Sequence, residues 1–227
     1  MNIKWFGQSC FLLTDENGTK VLTDPCNPRT GYKVSGISCD AVTVSHQHFD
    51  HNYIEAAAGE PAMITEPGEY EVKGVRIIGF PAFHDDAEGA VRGTNTMFLF
   101  EMDGIRILHA GDIGHQLSRE LIADIGLVDV LLVPIGGKYT LDYMGAREFA
   151  NSLRPSVVIP MHFKTPFCTI DDIDDCGNFV STVQDCRIHK LNDYEASIYV
   201  NTLGEDRVLV LDPYIEEENA EQVSFDL

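Results

Sequence analysis

The chain has 227 residues, of which 44% are hydrophobic and 23% are charged, a composition that is ordinary for a folded domain. Its 36 acidic residues outnumber its 16 basic residues, which leaves a formal net charge of −20. Such a charge repels phosphate polymers, so the composition argues against general nucleic-acid binding.

The sequence carries no sign of secretion or membrane insertion. No N-terminal stretch joins a basic start to a long apolar segment, and no window approaches the roughly 20 apolar residues of a membrane span. None of the six cysteines forms a C-x-x-C pair, which is typical of reduced thiols and not of a disulfide framework or a cysteine-bound zinc ion. We therefore expect a cytoplasmic protein without membrane attachment.

The first part of the chain predicts strands. Residues 2–23 contain three apolar runs with a turn signal at Asn17–Gly18, which predicts a meander of strands. Residues 26–36, rich in Pro and Gly, predict a loop. The run "CDAVTVSH", residues 39–46, predicts a buried strand. Short strands then continue to residue 111, with turn signals at Lys73–Gly74 and Asp103–Gly104.

From residue 116 onward helices are predicted between strands. Residues 116–126 and 141–153 have helical periodicity, and the second of these places Leu141, Met144, Phe149 and Leu153 on one stripe. Apolar strands are predicted at 128–137 and 156–163. A third helix is predicted over 169–183, broken near Gly177, and 197–201 and 207–212 are predicted to close the chain as a strand pair. Two sheets with helices outside would bury these elements.

The chain is predicted to form one domain, residues 1–211. Residues 212–227 contain six acidic residues and no Lys or Arg. This composition predicts a solvated acidic C-terminal tail.

The stretch "SHQHFDH", residues 45–51, holds three of the eight histidines. His46 and His48 are two residues apart, so in an extended backbone both imidazoles face the same side and can share one ion. Asp50 and His51 follow where the chain leaves the strand, and they can face a second point nearby. The stretch therefore offers nitrogen and oxygen ligands for up to two metal ions.

Further ligands are predicted at the ends of other strands, because a zinc ion needs about four. His84, Asp112 and His162 each follow a hydrophobic run. Taken singly, His84 and His162 are each also compatible with an ordinary buried histidine. Asp112 alone is also compatible with a helix cap. The H-x-H-x-D-H string makes the metal-site interpretation stronger, since four specified residues in six positions rarely coincide by accident.

With these residues the chain resembles the metallo-β-lactamase superfamily over roughly residues 1–200. The resemblance implies an α/β fold, a four-layer αββα sandwich, and two divalent ions, with zinc as the first candidate and manganese or iron as alternatives. It implies that one ion is bound by three histidines, the second by Asp50 and two histidines, and that Asp112 bridges them. The ligands so implied are His46, His48 and His84, then Asp50, His51 and His162, with Asp112 between them.

Local motifs narrow the resemblance. The segments "GQSCFLLT", "LTDP", "HAGD" and "IPMHF" are similar to the branch that contains L-ascorbate-6-phosphate lactonase. An aspartate at 112 resembles the dinuclear hydrolases, whereas β-lactamases proper have a cysteine in that role. A histidine at 48 argues against the flavodiiron branch, which has a glutamate there.

The predicted chemistry is hydrolysis of an ester, lactone, thioester or phosphoester in a small, anionic substrate. Paired divalent ions would lower the pKa of water and polarise a carbonyl or phosphoryl oxygen. Asp50 is the candidate to orient that water or carry its proton. Asp24 either supports a ligand imidazole or forms a turn before Pro25.

Three basic residues near the predicted ligands are candidate substrate contacts, or else ordinary solvated side chains. His109 and His115 are left outside the site. The basic candidates are Arg92, Lys138 and Lys164.

Two other functions stay open at this point. One is a phosphodiesterase of the ribonuclease Z type, against which the acidic charge counts. The other is a metal-binding scaffold without turnover, against which the intact set of ligands counts. A homo-oligomer is compatible with the sequence.

Overall fold

The computed structural model describes residues 1–183, 186–203 and 207–216. These residues form sixteen strands and three α-helices. In chain order the strands are β1 (Asn2–Gly7), β2 (Cys10–Thr14), β3 (Lys20–Thr23), β4 (Ile37–Ser38), β5 (Ala41–Thr43), β6 (Ala57–Ala58), β7 (Ala62–Ile64), β8 (Gly68–Val72), β9 (Val75–Phe83), β10 (Thr94–Met102), β11 (Ile105–His109), β12 (Val130–Pro134), β13 (Val157–Met161), β14 (Arg187–Lys190), β15 (Glu195–Ser197) and β16 (Arg207–Val210). The helices are α1 (Arg119–Ile125), α2 (Tyr143–Leu153) and α3 (Gly177–Thr182).

Most strands belong to two large sheets. The first sheet has the order β15-β1-β2-β3-β5-β7, and the second has the order β14-β16-β13-β12-β11-β10-β9-β8, while β4 and β6 pair separately. The predicted N-terminal meander is β1-β2-β3, which is antiparallel. Strands β8 to β11 are also antiparallel, and β11, β12 and β13 run parallel to one another.

Tight turns join the antiparallel strands of the second sheet. Lys73 and Gly74 both have positive φ between β8 and β9, and so do Asp103 and Gly104 between β10 and β11. Two successive positive φ angles match the twist of a two-residue hairpin, which explains why glycine ends each turn.

The main hydrophobic core lies between the two sheets. Every residue of β12 and β13 is buried, because helices cover one face of these strands and the first sheet covers the other. This explains their continuous apolar sequence. Large core side chains come from both sheets and include Trp5, Phe11, Leu13, Phe98, Phe100 and Ile107.

The helices pack on the second sheet, and two of them differ from the sequence prediction. Helix α2 buries Ala146, Phe149 and Leu153, but Met144 is 53% exposed. The prediction for Met144 was wrong because it precedes Ala146 by two residues, about 200° around the helix. Helix α3 begins only at Gly177.

The residues before α3 do not form the predicted helix, because four of the five residues from 171 to 175 are aspartates. Aspartate side chains compete for backbone hydrogen bonds and favour turns. Asp175 is one example, since its Oδ1 accepts from the backbone N–H of Gly177 at 2.7 Å.

The outer face of the first sheet is covered differently. A second apolar cluster includes Phe6, Leu22, Tyr32 and Val42. In the part of the chain that the structure describes, irregular backbone with short 3-10 turns at Pro28–Thr30 and Ile54–Ala56 forms this layer. The outer layer is thus helical over the second sheet and mainly loop over the first.

The C-terminal strands and the residues after them also have defined positions. The predicted closing pair is wrong, because β15 lies in the first sheet and β16 in the second. Tyr214 donates its backbone N–H to Trp5 O at 2.8 Å, and the Nζ atom of Lys4 lies 3.8 Å from the centre of the Tyr214 ring. Residues 217–227 lie outside the described residues, so the boundary at 211 stays a prediction.

None of the helices in the described ranges has the length and apolar character that crossing a membrane would require.

Candidate metal centre

The side chains predicted as metal ligands converge at one edge of the sandwich, between the two sheets. His46 comes just after β5 of the first sheet, whereas His84, Asp112 and His162 follow β9, β11 and β13 of the second. The converging residues are His46, His48, Asp50, His51, His84, Asp112 and His162.

Asp112 lies at the centre of the group. Its Oδ2 atom is 3.1 Å from His51 Nε2 and 3.3 Å from His84 Nε2. The same oxygen is 3.4 Å from His162 Nε2 and 3.9 Å from His46 Nε2. One carboxylate oxygen thus faces imidazoles from both sheets.

The seven predicted ligands fall into two groups of candidate ligand atoms, and a third group joins Asp24 to His46 and His51. In one group, His46, His48 and His84 place ligand atoms within 4.8 Å of one another. In the other, Asp50, His51, Asp112 and His162 do the same. In the first group, His46 Nε2 lies 2.9 Å from His48 Nδ1. These are the groups that the resemblance implied, with Asp112 between them.

The donor set fits divalent ions. Several buried polar atoms at the site have no hydrogen-bond partner in the described ranges, and an unpaired buried polar atom costs about 1–3 kcal/mol. Asp50 and Asp112 are buried carboxylates, whose charge needs nearby compensation. Mixed imidazole and carboxylate donors suit zinc, manganese or iron. The unpartnered atoms are His51 Nε2 and Asp112 Oδ1 within the cluster, and His84 Nδ1 and His162 Nδ1, the ring nitrogens opposite the Nε2 atoms that face Asp112.

Asp24 orients two of the imidazoles. Its Oδ2 accepts from His51 Nδ1 at 2.8 Å, which leaves His51 Nε2 facing the cluster. The Ser45 hydroxyl donates to Asp24 and accepts from His46 Nδ1 at 2.9 Å, which directs His46 Nε2 inward in the same way. Asp24 therefore sets the tautomer of both imidazoles, as outer partners of metal ligands do. Sequence reasoning did not identify Ser45, although it directly precedes the histidine string.

Asn95 holds the backbone of Asp112. Its Oδ1 accepts from the Asp112 N–H at 3.0 Å, and its Nδ2 donates to Ala110 O at 2.9 Å. Gly111 permits this contact, because a Cβ there would lie 2.2 Å from Asn95 Oδ1. Asn95 was not identified from the sequence, where it is a single amide at the start of the apolar strand β10.

The two histidines left outside the site support its frame. His109 Nε2 donates to Ser9 O at 2.8 Å, and its Nδ1 accepts from the Gly111 N–H at 3.1 Å. His115 Nε2 accepts from the N–H of Phe83, next to His84, at 3.1 Å. Both imidazoles therefore hold the backbone beside candidate ligands.

Gly136 allows the His162 segment to approach. A Cβ at Gly136 would lie 2.3 Å from His162 O. His162 itself has φ of 49°, an uncommon value for a residue with a side chain, and its N–H donates to Gln8 O at 3.2 Å. Gly136 thus allows the chain after β12 to pack closely against the chain after β13.

The electrostatics of the cluster differ between its imidazoles: burial lowers the pKa of His46 and His48, whereas Asp112 and Asp50 raise the pKa of His51 and His162 against the effect of burial. Burial, together with the charge of His51, lowers the pKa of His46 to about 3. Burial and the charge of His84 also lower the pKa of His48. Neutral imidazole is the form that binds metal ions. Burial opposes ionisation of Asp50 and Asp112, yet nearby His51 and His162 hold the pKa of both carboxyls below the ordinary value.

A cavity of about 590 Å³ opens directly above the cluster. Asp50 and Arg92 reach it, but Lys138 and Lys164 are engaged elsewhere: the Lys138 ammonium pairs with Asp172, and Lys164 Nζ donates to Ile170 O at 2.6 Å. Sequence reasoning missed half of the lining. The residues that line the cavity are Arg29, His48, Phe49, Asp50, His84, Val91, Arg92, Asp112, Tyr139, His162, Thr169 and Ile170.

Comparison with known proteins identifies the family of the chain. Residues 2–162 match the family described as beta-lactamase superfamily domain. A UPF0173 metal-dependent hydrolase of Methanoregula boonei is 35% identical over 189 residues, which cover 73% of this chain and 83% of the relative. A UPF0173 metal-dependent hydrolase of Archaeoglobus fulgidus is 32% identical over 196 residues, covering 73% and 84% of the two chains.

Solved structures share the fold. A crystal structure from Thermotoga maritima, assigned to the zinc-dependent hydrolases of the metallo-β-lactamase superfamily, has a TM-score of 0.78 at 34% identity and covers 94% of this chain and 99% of its own. Igni18, a metallo hydrolase of Ignicoccus hospitalis, has a TM-score of 0.62 at 24% identity and covers 81% and 90%. The predicted metallo-β-lactamase fold is confirmed.

Proposed function

The chain belongs to the beta-lactamase superfamily and is a metal-dependent hydrolase of the UPF0173 kind, and we propose that it uses two divalent ions to hydrolyse a small anionic substrate. Zinc is our first choice for both ions, with manganese or iron as alternatives. The bond cleaved would be an ester, a lactone or a phosphoester.

The position of Asp112 Oδ2 carries the proposal. This atom lies 3.1–3.4 Å from the Nε2 atoms of His51, His84 and His162. It therefore faces both groups of candidate ligands, as a bridging carboxylate must. His46, His48 and His84 would hold one ion, Asp50, His51 and His162 the other.

Ions held by these residues would supply the chemistry of hydrolysis at neutral pH, namely an acidified water and a polarised substrate oxygen. The protein contributes a carboxylate beside that water. The Asp50 side chain lines the cavity, and its Oδ2 lies 3.4 Å from His162 Nε2. His51 and His162 hold the pKa of this carboxyl below its ordinary value against the effect of burial, so it is ionised at neutral pH and can accept a hydrogen bond that orients the attacking water.

The cavity sets the size of the substrate. A volume of about 590 Å³ falls in the range typical of small-molecule sites. The net charge of −20 opposes a polynucleotide substrate. A metabolite with one hydrolysable bond fits better than an RNA.

The test combines metal analysis with turnover. Protein purified without added metal is measured for metal content, then assayed on a panel of lactones, aryl esters and phosphoesters. We expect about two ions per chain and a loss of about 100-fold or more in kcat for Asp50→Ala, as for other lost acid–base groups. Asp124→Ala, on an exposed position of α1, is the matched control.

Two outcomes would contradict the proposal. Wild type and Asp50→Ala could be equally inactive on the whole panel at full metal content, which would favour the scaffold. The protein could also bind a single ion and still turn over normally, which would refute the paired site.

A further inference from the structure

We infer that the substrate is an amphipathic anion, in which an apolar acyl or aryl body lies beside the cleaved bond and a carboxylate or phosphate is bound by arginine. This inference rests on the proposed function of the same cavity. This inference depends on the side chains in the wall of the cavity, whereas the proposed function depends on the cluster of candidate ligands at the floor of the cavity.

The wall presents apolar side chains to open space. Phe49 is 50% exposed and Val91 is 69% exposed, and both line the cavity together with Tyr139 and Ile170. Covering apolar surface is favourable in water, so a ligand with an apolar body would be held at this wall. A purely polar ligand, such as a sugar phosphate, would leave these side chains uncovered.

Arg92 is held in place at the same wall. The Asp85 carboxylate accepts backbone N–H groups from Ala87 and Gly89 at 2.9 Å, from Val91 at 3.1 Å and from Arg92 at 2.7 Å. These four bonds fix the loop that directly follows His84. The loop therefore presents Val91 and Arg92 to the cavity from a rigid backbone.

The Arg92 guanidinium retains donors for a ligand. One of its Nη atoms donates to Lys138 O at 2.9 Å, which ties the side chain across to the next loop. A guanidinium has five N–H donors in a planar fork that matches a carboxylate or a phosphate. Arg92 is thus oriented in advance for an anion, with less side-chain entropy left to lose on binding.

Arg29 brings a second positive charge to the cavity from the other sheet's outer layer. The backbone of its loop is fixed, because Thr169 donates its N–H to Thr30 O at 3.0 Å and its hydroxyl to Arg29 O. The Arg29 side chain is exposed and lines the cavity. Two arginines at one cavity, in a chain of net charge −20, create a local field that attracts anions.

The test measures binding by calorimetry on the zinc-loaded full chain. The probes are 4-phenylbutanoate, butanoate, which lacks the aryl body, and 4-phenylbutanol, which lacks the charge. We expect 4-phenylbutanoate to bind about 10-fold or more tightly than either truncated probe, because each lacks one of the two contacts. Phenylbutyl phosphate is the fourth probe and decides which anionic group is preferred.

Variants assign the contacts. Arg92→Gln should weaken binding of 4-phenylbutanoate about 10-fold and leave 4-phenylbutanol unchanged, at unchanged metal content. Arg119→Gln, the same substitution at an exposed position that starts α1, is the control and should change neither. Because carboxylates also bind metal ions directly, the comparison of the two variants at equal metal content isolates the guanidinium.

The possible results separate this inference from the proposed function. Equal affinity for butanoate and 4-phenylbutanoate, or equal effects of Arg92→Gln and Arg119→Gln, would overturn the inference even if esters are hydrolysed. Arg92-dependent binding of the aryl anion would support it even if no panel ester is hydrolysed, and in that case only the proposed function would fail.

Discussion

His84 and His162 on the floor of the cavity are almost fully buried, whereas Phe49 and Val91 on its wall expose half or more of their side chains. The floor residues follow strands of both sheets and are held by further buried polar groups such as Asp24 and Asn95. The wall residues come from loops whose backbone is fixed but whose side chains are open to solvent. We therefore expect the floor to contribute both stability and chemistry, and the wall to determine which substrate is bound.

Removing the metal is expected to have the largest effect on stability, because the candidate ligands come from both sheets. An ion that binds only the folded state stabilises it by about 4 kcal/mol at a free concentration of about 1,000 Kd. For a chain of this size that corresponds to a fall in Tm of about 10 °C on chelation. Thermal unfolding with and without chelator, followed by zinc addition, measures the shift.

The wall variant Arg92→Gln serves as the control for this experiment and should show the same metal-dependent shift as wild type. If Tm does not fall although the metal has been removed, the ions do not join the two sheets. The floor and the wall would then not differ in their contribution to stability.

Asp24→Asn should weaken metal binding about 10–100-fold, as other changes in the partners of metal ligands do. The carboxylate accepts from His51 Nδ1 and the Ser45 hydroxyl at Oδ2 and from the Ser45 N–H at Oδ1. The NH2 group of an amide would face a donor at one of these two positions, so the His46 and His51 imidazoles lose their fixed tautomers. Competition with a fluorescent chelator gives the affinity. Asp40→Asn is the matched control, because Asp40 directly precedes β5, whereas the histidine string follows the other end of this strand. Equal affinities for the two variants would show that Asp24 does not orient ligands.

Asp85→Ala is expected to act on the wall alone. Loss of the four hydrogen bonds to Asp85 should loosen the loop that carries Val91 and Arg92, and should raise KM about 10-fold with kcat and metal content nearly unchanged. Asp85→Asn, which keeps one acceptor oxygen, should recover part of the affinity. Steady-state kinetics on the best panel ester measures both constants. A fall in kcat with loss of metal would place Asp85 with the floor instead.

The sequence allowed the floor to be predicted, because its residues obey strong local rules. The prediction of an extended backbone at His46 and His48 was wrong, because β5 ends at Thr43 and both histidines lie in the bends that follow, although their side chains do come together. His84, Asp112 and His162 each follow an apolar strand, as predicted. Because neighbouring strands bring such ends together, the sequence pattern predicts that these side chains lie close to one another. Asn95 was missed because a single buried amide in a strand has no periodic signature.

The wall was not predicted for a related reason. Phe49 occupies a variable position inside the H-x-H-x-D-H string, and Arg29 lies in a loop where Pro and Gly dominate the pattern. Lys138 was a candidate substrate contact, but its ammonium pairs with Asp172. Loop side chains depend on tertiary contacts that no short-range rule encodes. The irregular layer over the first sheet escaped prediction in the same way.

The seam between the loops at residues 27–31 and 167–169 has a consequence for how such a protein can change. Gly31 packs so closely that a Cβ there would lie 1.8 Å from Phe167 O, and Thr169 bonds to the backbone of Thr30. Because backbone atoms make these contacts, the exposed side chain of Arg29 takes no part in holding the two loops together. Substitutions of exposed side chains beside this seam can change the preferred substrate while the metal ligands stay unchanged. One fold can acquire new substrate specificities in this way.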